Sequence, residues 1–154
     1  MKFRFSLQPI LNHREALERN AEIALGREMQ RQVVLENEQL VLLEELENLT
    51  KERGTANLHS GERFMDFVSY SHRLKRQIAQ KKNEIEKQKE SVTAARNELI
   101  KKTQEKKAIE VLQDSQERAF KLAEKRQEAK QADEVAGQRK QRAVAETQDE
   151  AQSN

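Results

Sequence analysis

The segment GTANLHSG, residues 54–61, decides the fold that this sequence predicts. It holds two of the chain's four glycines and shows no helical periodicity. On both sides of it the chain is dominated by Leu, Ala, Glu, Lys, Gln and Arg, which have high helix propensities. A short polar segment between two long helix-forming stretches is typical of an antiparallel helical hairpin. We therefore expect a turn over residues 54–62, with the fold point near Asn57.

The composition excludes a compact globular core. Of the 154 residues 35% are hydrophobic and 36% are charged, whereas a typical globular domain is nearly half apolar. The few apolar side chains must therefore be concentrated along a stripe. The sequence predicts an all-α fold in one domain, residues 1–154. It would contain a helix over about 6–53, a longer helix over about 63–145 and a polar C-terminal end that frays.

The first predicted helix has a start signal and an apolar seam. Ser6 can cap the helix, Pro9 falls in the first turn, and Phe5 and Ile10 occupy the two positions of a hydrophobic staple. A seven-residue register then predicts one seam of Leu7, Leu11, Ala21, Leu25, Leu35, Leu42, Leu46 and Leu49.

The second predicted helix carries its own seam over residues 64–123. Its apolar members are Phe64, Phe67, Leu74, Ile78, Ile85, Val92, Ala95, Leu99, Ile109, Phe120 and Ala123. No proline interrupts this stretch, and Gly137 is the weak point beyond it. A seam of this length predicts that the second helix extends well past the end of the first.

Charge indicates that the two helices pair with each other. Residues 7–53 have a net charge of −4, whereas residues 73–107 have a net charge of +7. Pairing about Asn57 would place together residues whose numbers sum to about 115. Small side chains would then face small ones and large would face large, as in the pairs Ala21 with Ala94, Leu42 with Leu74, and Leu49 with Phe67.

The unequal helix lengths leave an overhang. The first helix would end opposite Glu110, so about 50 Å of the second helix would continue alone at 1.5 Å per residue. This stretch still carries Phe120 and Ala123, with Ala129 and Val135 beyond them. We expect it to have no partner within its own chain and therefore to bind another protein.

Sequence motifs for catalysis, cofactors and metals are missing. The chain has no cysteine, and its three histidines, His13, His59 and His72, are far apart and expected on the surface or in the turn. It has no glycine-rich phosphate loop, and a helical pair offers no concave pocket for acid–base chemistry. We predict no enzyme activity, no cofactor and no metal. No apolar run approaches the length of a membrane span, so direct membrane insertion is not expected.

One basic cluster allows a different interpretation. Lys81, Lys82, Lys87 and Lys89 could form a strip that binds the phosphates of a nucleic acid. The simpler interpretation is a solvated face that complements the acidic residues of the first helix. No aromatic side chains are interleaved with the lysines, so we do not expect nucleic acid as a partner.

The two ends of the chain resemble a known family. FRFSLQPILNHRE, residues 3–15, is similar to the Phe-x-Phe-x-Leu-x-x-(Ile/Leu)-Leu-x-x-Arg opening of FliJ proteins of the bacterial flagellar type III export apparatus. EKRQEAKQADEVA, residues 124–136, is similar to the charged segment near the C-terminus of that family. With chain length and helical pattern, the resemblance covers nearly the whole chain.

The resemblance implies a stalk protein with three kinds of partner. FliJ proteins form an antiparallel coiled coil whose end with both termini inserts into the hexameric export ATPase of the FliI type and promotes ring assembly. They also contact the export gate protein of the FlhA type and escort export chaperones. The resemblance further implies a protein that is monomeric alone, cytoplasmic, and peripheral at the inner membrane. Membership of this family would also make the protein a component of the bacterial motility apparatus.

Candidate contact residues follow from the resemblance and from the overhang. Candidates for gate binding lie near the turn: Gln39, Leu43, Leu46, Tyr70 and Leu74. The sequence has Thr50 and Lys81 where the family carries an aromatic residue and a histidine. Candidates for binding the ATPase ring lie on the overhang: Phe120, Ala123, Arg126, Lys130, Asp133 and Glu134.

Two related functions remain open from the sequence. One is the equivalent stalk protein of a virulence injectisome. The other is a generic coiled-coil chaperone or scaffold that holds other proteins between its helices.

Overall fold

The computed structural model describes residues 1–55 and 61–153, in which two helices account for almost every residue. Helix α1 spans Gln8–Thr55 (48 residues) and helix α2 spans Gly61–Gln152 (92 residues). Within the described ranges there is no β-strand. The two helices pack against each other, so the predicted all-α hairpin is confirmed.

The chain forms two compact units. One is the hairpin unit His13–Lys106, and the other, the terminal unit, combines Met1–Asn12 with Lys107–Asn154. In the hairpin unit, side-chain contacts between α1 and α2 run in opposite directions along the two helices. They join Glu45 to Tyr70, Glu38 to Lys81, Glu28 to Gln88, Glu18 to Lys106 and Arg14 to Glu105. The pairing of the helices is therefore antiparallel.

The contacts between the helices scatter around the predicted register. Their residue numbers sum to 115 for Glu45–Tyr70 and 116 for Glu28–Gln88, close to the expected 115. The sums are 119 for Glu38–Lys81 and Arg14–Glu105 and 124 for Glu18–Lys106. They do not rise steadily away from the turn, because long side chains reach residues about one helical turn from the position that they face. The pairing of Ala21 with Ala94 stays a prediction.

The core is a narrow seam between two helices. Leu74, Ile85 and Val92 are 2%, 5% and 6% exposed, and all three belong to the seam predicted for the second helix. The seam leucines of α1 from Leu25 to Leu49 are only half-buried, because a single neighbouring helix covers one side of each. Phe64, predicted for the seam, is 42% exposed, and Ala123 is also exposed.

The helix ends differ from the predicted ones. Gly54 and Thr55 belong to α1 and Gly61 and Glu62 to α2, so the predicted turn over 54–62 is shorter at both sides. Residues 56–60, which include Asn57 and His59, lie outside the described part. At its far end α2 continues to Gln152, seven residues past the expected end of the helix.

The start of α1 also departs from the expected pattern. The helix begins at Gln8, whose N–H donates to the carbonyl oxygen of Phe5 at 3.1 Å. Phe5 is 8% exposed, but its expected staple partner Ile10 is 46% exposed. These exposures do not show whether the two side chains touch, so the staple stays a prediction.

Candidate partner-binding surfaces

The N-terminal segment of the terminal unit, Met1–Leu11, lies along α2. The ring centroids of Phe3 and Phe120 are 5.6 Å apart, with the ring planes tilted by 49°. The Met1 amino group lies 4.0 Å from a Glu124 carboxylate oxygen. Further along, Gln113 Nε2 donates to Gln8 Oε1 at 3.3 Å. Phe5, which is 8% exposed, lies between Phe3 and Gln8 in the chain.

This arrangement corrects one expectation. The stretch of α2 beyond Glu110 was expected to have no partner in its own chain, and this is wrong for the part that includes Phe120. Phe120 is half-buried and contacts Phe3. The sequence pattern assigned the N-terminal phenylalanines to a helix start and gave no signal for this contact, which joins residues far apart in the chain.

The unpartnered part of α2 begins after Glu124. Every described residue from 125 to 153 is exposed. Of the candidates for ATPase binding, Arg126, Lys130, Asp133 and Glu134 lie here, and none of them forms an ion pair or side-chain hydrogen bond with another residue in the described ranges. Ala123, also exposed, lies just before them. These five residues share one accessible helical segment, whereas Phe120 is partly covered.

The candidates for gate binding lie near the turn of the hairpin unit, at different depths. Leu43 is 42% exposed, and Gln39, Leu46 and Tyr70 are half-buried. The hydroxyl of Tyr70 donates to a Glu45 carboxylate oxygen, which fixes the ring across the two helices.

Leu74 differs from the other gate candidates. At 2% exposed it is the most buried side chain of the hairpin core. A partner could not contact it without separating the helices. The structure therefore makes Leu74 a residue that supports this surface from below.

The end of the hairpin near the turn also contains a cation–π cluster. The guanidinium carbon of Arg53 lies 5.0 Å from the ring centroid of Phe67 and 5.5 Å from that of Phe64. Cation–π contacts contribute about 0.5–1 kcal/mol at exposed sites and more where water is excluded. Phe64 contacts the Arg53 guanidinium in this way while it remains 42% exposed.

The lysine cluster of α2 is partly used for pairing between the helices. Lys81 Nζ lies 2.5 Å from Glu38 and 3.3 Å from Glu84, and Lys89 Nζ lies 3.6 Å from Glu86. The hydrogen bond to Glu38, with a further one to Glu84, raises the pKa of Lys81 above its ordinary value. Charges already matched in this way favour the interpretation of a face that complements α1.

The described residues form neither a metal site nor a membrane span. His13 and His72 are exposed, as expected, and His59 lies outside the described residues. Within residues 1–55 and 61–153 no three His, Asp or Glu side chains are grouped so that they could hold a metal ion. In the same ranges no helical segment combines the length and the apolar character that crossing a bilayer requires.

Comparison with known proteins supplies the identification. The family model described as flagellar FliJ protein matches residues 2–145, nearly the whole chain. The chain belongs to the FliJ family. Membership makes it a protein related to flagellar export, in a family of non-catalytic components. No curated protein and no solved structure matches the chain.

The match to the FliJ family extends through both surfaces described above. It covers the N-terminal segment, the hairpin unit and α2 as far as Ala145. The resemblance found in residues 3–15 and 124–136 is therefore confirmed at the level of the family.

Sequence reasoning missed two structural features. Gln88 is 7% exposed, and its Nε2 donates to the carbonyl oxygen of Glu28 at 2.8 Å and to its carboxylate at 2.5 Å. Gln88 falls among polar residues, and only its spacing of three from Ile85 and four from Val92 could have indicated the buried face. The second feature is the cover that Met1–Leu11 provides for α2, for which the sequence offers no signal beyond the two phenylalanines.

Proposed function

We propose that this protein is the stalk of a flagellar export ATPase. The end of the chain that holds both termini would insert into a hexameric ATPase of the FliI type and promote assembly of its ring. The observation that carries this proposal is the exposed helical segment at residues 125–152, which belongs to α2 and is covered by none of the residues that the structure describes.

The charges of this segment suit a ring interior. Residues 125–152 contain six basic and six acidic residues in alternating groups. Exposed ion pairs contribute only about 0–1 kcal/mol each. Contacts of this strength can be exchanged among equivalent subunits without locking the stalk to one of them. We place Arg126, Lys130, Asp133 and Glu134 among these contacts.

A truncation after Lys125 tests the ATPase part of the proposal. It removes residues 126–154 but leaves intact the contacts of Phe3 with Phe120 and of Met1 with Glu124. The hairpin should therefore keep its helicity and its unfolding midpoint. Stimulation of ATPase activity, measured as rate against enzyme concentration, should be lost.

The matched control removes only residues 146–154, which lie beyond all candidate contacts. This shorter truncation should stimulate the ATPase as the full chain does. If the protein cut after Lys125 stimulates fully, ring assembly does not depend on the exposed helix and the proposal is wrong.

We further propose that the end of the hairpin near the turn binds an export gate protein of the FlhA type. Leu43, Gln39, Leu46 and Tyr70 would supply the contacts, with Leu74 beneath them. Partly exposed aromatic and leucine side chains commonly anchor interfaces. The same stalk would escort export chaperones and would lie at the cytoplasmic face of the inner membrane.

Leu43→Asp tests the gate surface without removing a buried side chain. It should weaken binding to the isolated cytoplasmic part of the gate protein by about tenfold or more, as expected for loss of an interface anchor. Ile23→Asp is the control, because Ile23 is 54% exposed on the same helix and outside the candidate surface. Equal gate affinity in the two variants would remove Leu43 from the interface.

A further inference from the structure

An exposed apolar surface, separate from the candidate surfaces described above, lies on α2 within the terminal unit. Val111, Leu112 and Leu122, three large apolar side chains close together on this helix, are 67%, 41% and 51% exposed. With smaller residues they form one stripe at helical spacing, here called the outer stripe: Ala108, Val111, Leu112, Ser115, Ala119 and Leu122. Steps of three and four residues place all six on one face of the helix.

The outer stripe faces away from the N-terminal segment. Gln113 and Phe120, which contact Gln8 and Phe3, lie on another side of α2. At about 100° per residue they are rotated by roughly 130–150° from the centre of the outer stripe, although each directly follows a stripe residue, Leu112 or Ala119. Because Met1–Leu11 occupies one face, it cannot also cover the other.

Basic residues line one border of the outer stripe. Lys107, Arg118 and Lys125 lie along this edge, and none of them forms an ion pair or hydrogen bond with another residue that the structure describes. Lys121 on the same side is paired with Glu117 at 3.2 Å, and Asp114 is the acidic residue of this edge. With Asp114 counted against Lys107, Arg118 and Lys125, the border carries a net charge of +2 beside an apolar face.

We propose that the outer stripe is a docking surface for an amphipathic helix of a partner protein, with acidic residues along its border. An apolar face with anchors at spacings of three, four and seven residues is complementary to another helix. The charged edge selects acidic over basic partners, since matched charges steer binding and like charges oppose it. This surface uses residues other than those placed at the ATPase ring and the gate, and so goes beyond the proposed function.

Two synthetic peptides test the proposal with the full chain. Both are helical 21-residue peptides with the same leucine and alanine face, and one carries glutamates along its border where the other carries lysines. The acidic peptide should bind about tenfold more tightly than the basic one, as expected from charge complementarity. Isothermal titration at low and moderate salt measures both affinities.

Variants connect the binding to the outer stripe. Val111→Asp should abolish binding of the acidic peptide, whereas Val144→Asp, at a similarly exposed valine of the same helix (51%), should leave it unchanged. Arg118→Glu together with Lys125→Glu should reverse the preference, so that the basic peptide binds more tightly. Circular dichroism should show unaltered helicity in all variants.

Four results would overturn the proposal. Equal binding of the acidic peptide to the wild type and to Val111→Asp would show that the outer stripe is not used. Sedimentation of the wild type as a dimer that Val111→Asp dissociates would identify the occupant as a second copy. Binding to anionic phosphatidylglycerol vesicles instead of the peptide would identify a lipid surface.

The fourth result concerns the ATPase. Loss of ATPase stimulation in Val111→Asp, with peptide binding absent in the wild type, would assign the outer stripe to the ring. The protein truncated after Lys125 retains every residue of the outer stripe. Its effect on the ATPase therefore tests the proposed stalk function separately from the peptide titration, which tests the outer stripe.

Discussion

The hairpin unit, residues 13–106, and the terminal part of α2, residues 125–152, are both regular helix but differ in what stabilises them. In the hairpin, burial of Leu74, Ile85 and Val92 and ion pairs such as Lys81–Glu38 hold the helices together. The terminal part has no buried residue and relies on helix propensity and bonds along its own backbone. Helix propensity alone stabilises a helix only marginally. The terminal part of α2 can therefore gain new neighbours when a partner binds, whereas the hairpin unit cannot do so without losing its core.

The largest expected effect in this comparison belongs to Leu74. Leu74→Ala should lower the free energy of unfolding of the hairpin by about 2–5 kcal/mol, since a buried leucine is replaced by a cavity. Leu122→Ala, at a leucine that is 51% exposed, should change it by less than about 0.5 kcal/mol. Urea unfolding followed by circular dichroism measures both. Similar losses in the two variants would show that burial does not distinguish the regions.

The polar contact in the hairpin core should have the next largest effect. Gln88→Ala removes a side chain that bonds the carbonyl oxygen and the carboxylate of Glu28, and should cost about 1–2 kcal/mol. Gln88→Leu keeps the volume and adds apolar burial, so its stability should stay near the wild-type value. A polar core residue can fix the register of paired helices.

Cross-linking measures the effect of Gln88 on the register. Cysteines introduced at Glu38 and Lys81, whose charged groups pair across the helices, should give a single product with a short bis-maleimide cross-linker in the wild-type background. In Gln88→Leu the yield of this product should fall because neighbouring registers become accessible. An undiminished yield would show that Gln88 contributes stability only.

Loss of the contact between Phe3 and Phe120 should have an effect of intermediate size. Aromatic pairs of this geometry contribute about 0.5–1.5 kcal/mol beyond the burial of area. Phe3→Ala should therefore speed amide hydrogen exchange near Phe120, while exchange near Leu74 stays as in the wild type. The double variant with Phe120→Ala should show a coupling free energy of the same size. A coupling free energy near zero would mean that the contact between the two rings does not stabilise the protein.

The smallest expected effects come from two glycines inside helices. At Gly26 and Gly137 an added Cβ would meet no atom within 4 Å apart from its chain neighbours and the adjoining backbone of its own helix, and neither residue has a positive φ. Gly→Ala should stabilise each helix by about 0.5–1 kcal/mol. Gly26→Ala should raise the unfolding midpoint of the hairpin, whereas Gly137→Ala should leave it unchanged and only slow local hydrogen exchange. A shift of the midpoint by Gly137→Ala would mean that the exposed helix unfolds together with the hairpin.

The sequence by itself determined the helical fold, the hairpin and the family. Helix propensity and the periodic spacing of apolar residues are local properties of the sequence, so they predicted the two helices and the apolar seam that includes Leu74, Ile85 and Val92. The charge difference between residues 7–53 and 73–107 indicated that the helices pair with each other. The motifs at residues 3–15 and 124–136, with the chain length and the helical pattern, indicated the family that the match over residues 2–145 shows.

Only the tertiary structure decided the candidate surfaces. The burial of Leu74, the cover of Phe120 by Phe3 and the exposure of the outer stripe depend on which helix face meets a neighbour. A heptad pattern specifies that apolar residues share a face, but with two helices only part of that face can be buried. Contacts between residues more than a hundred positions apart, such as Gln8 with Gln113, leave no periodic trace in the sequence.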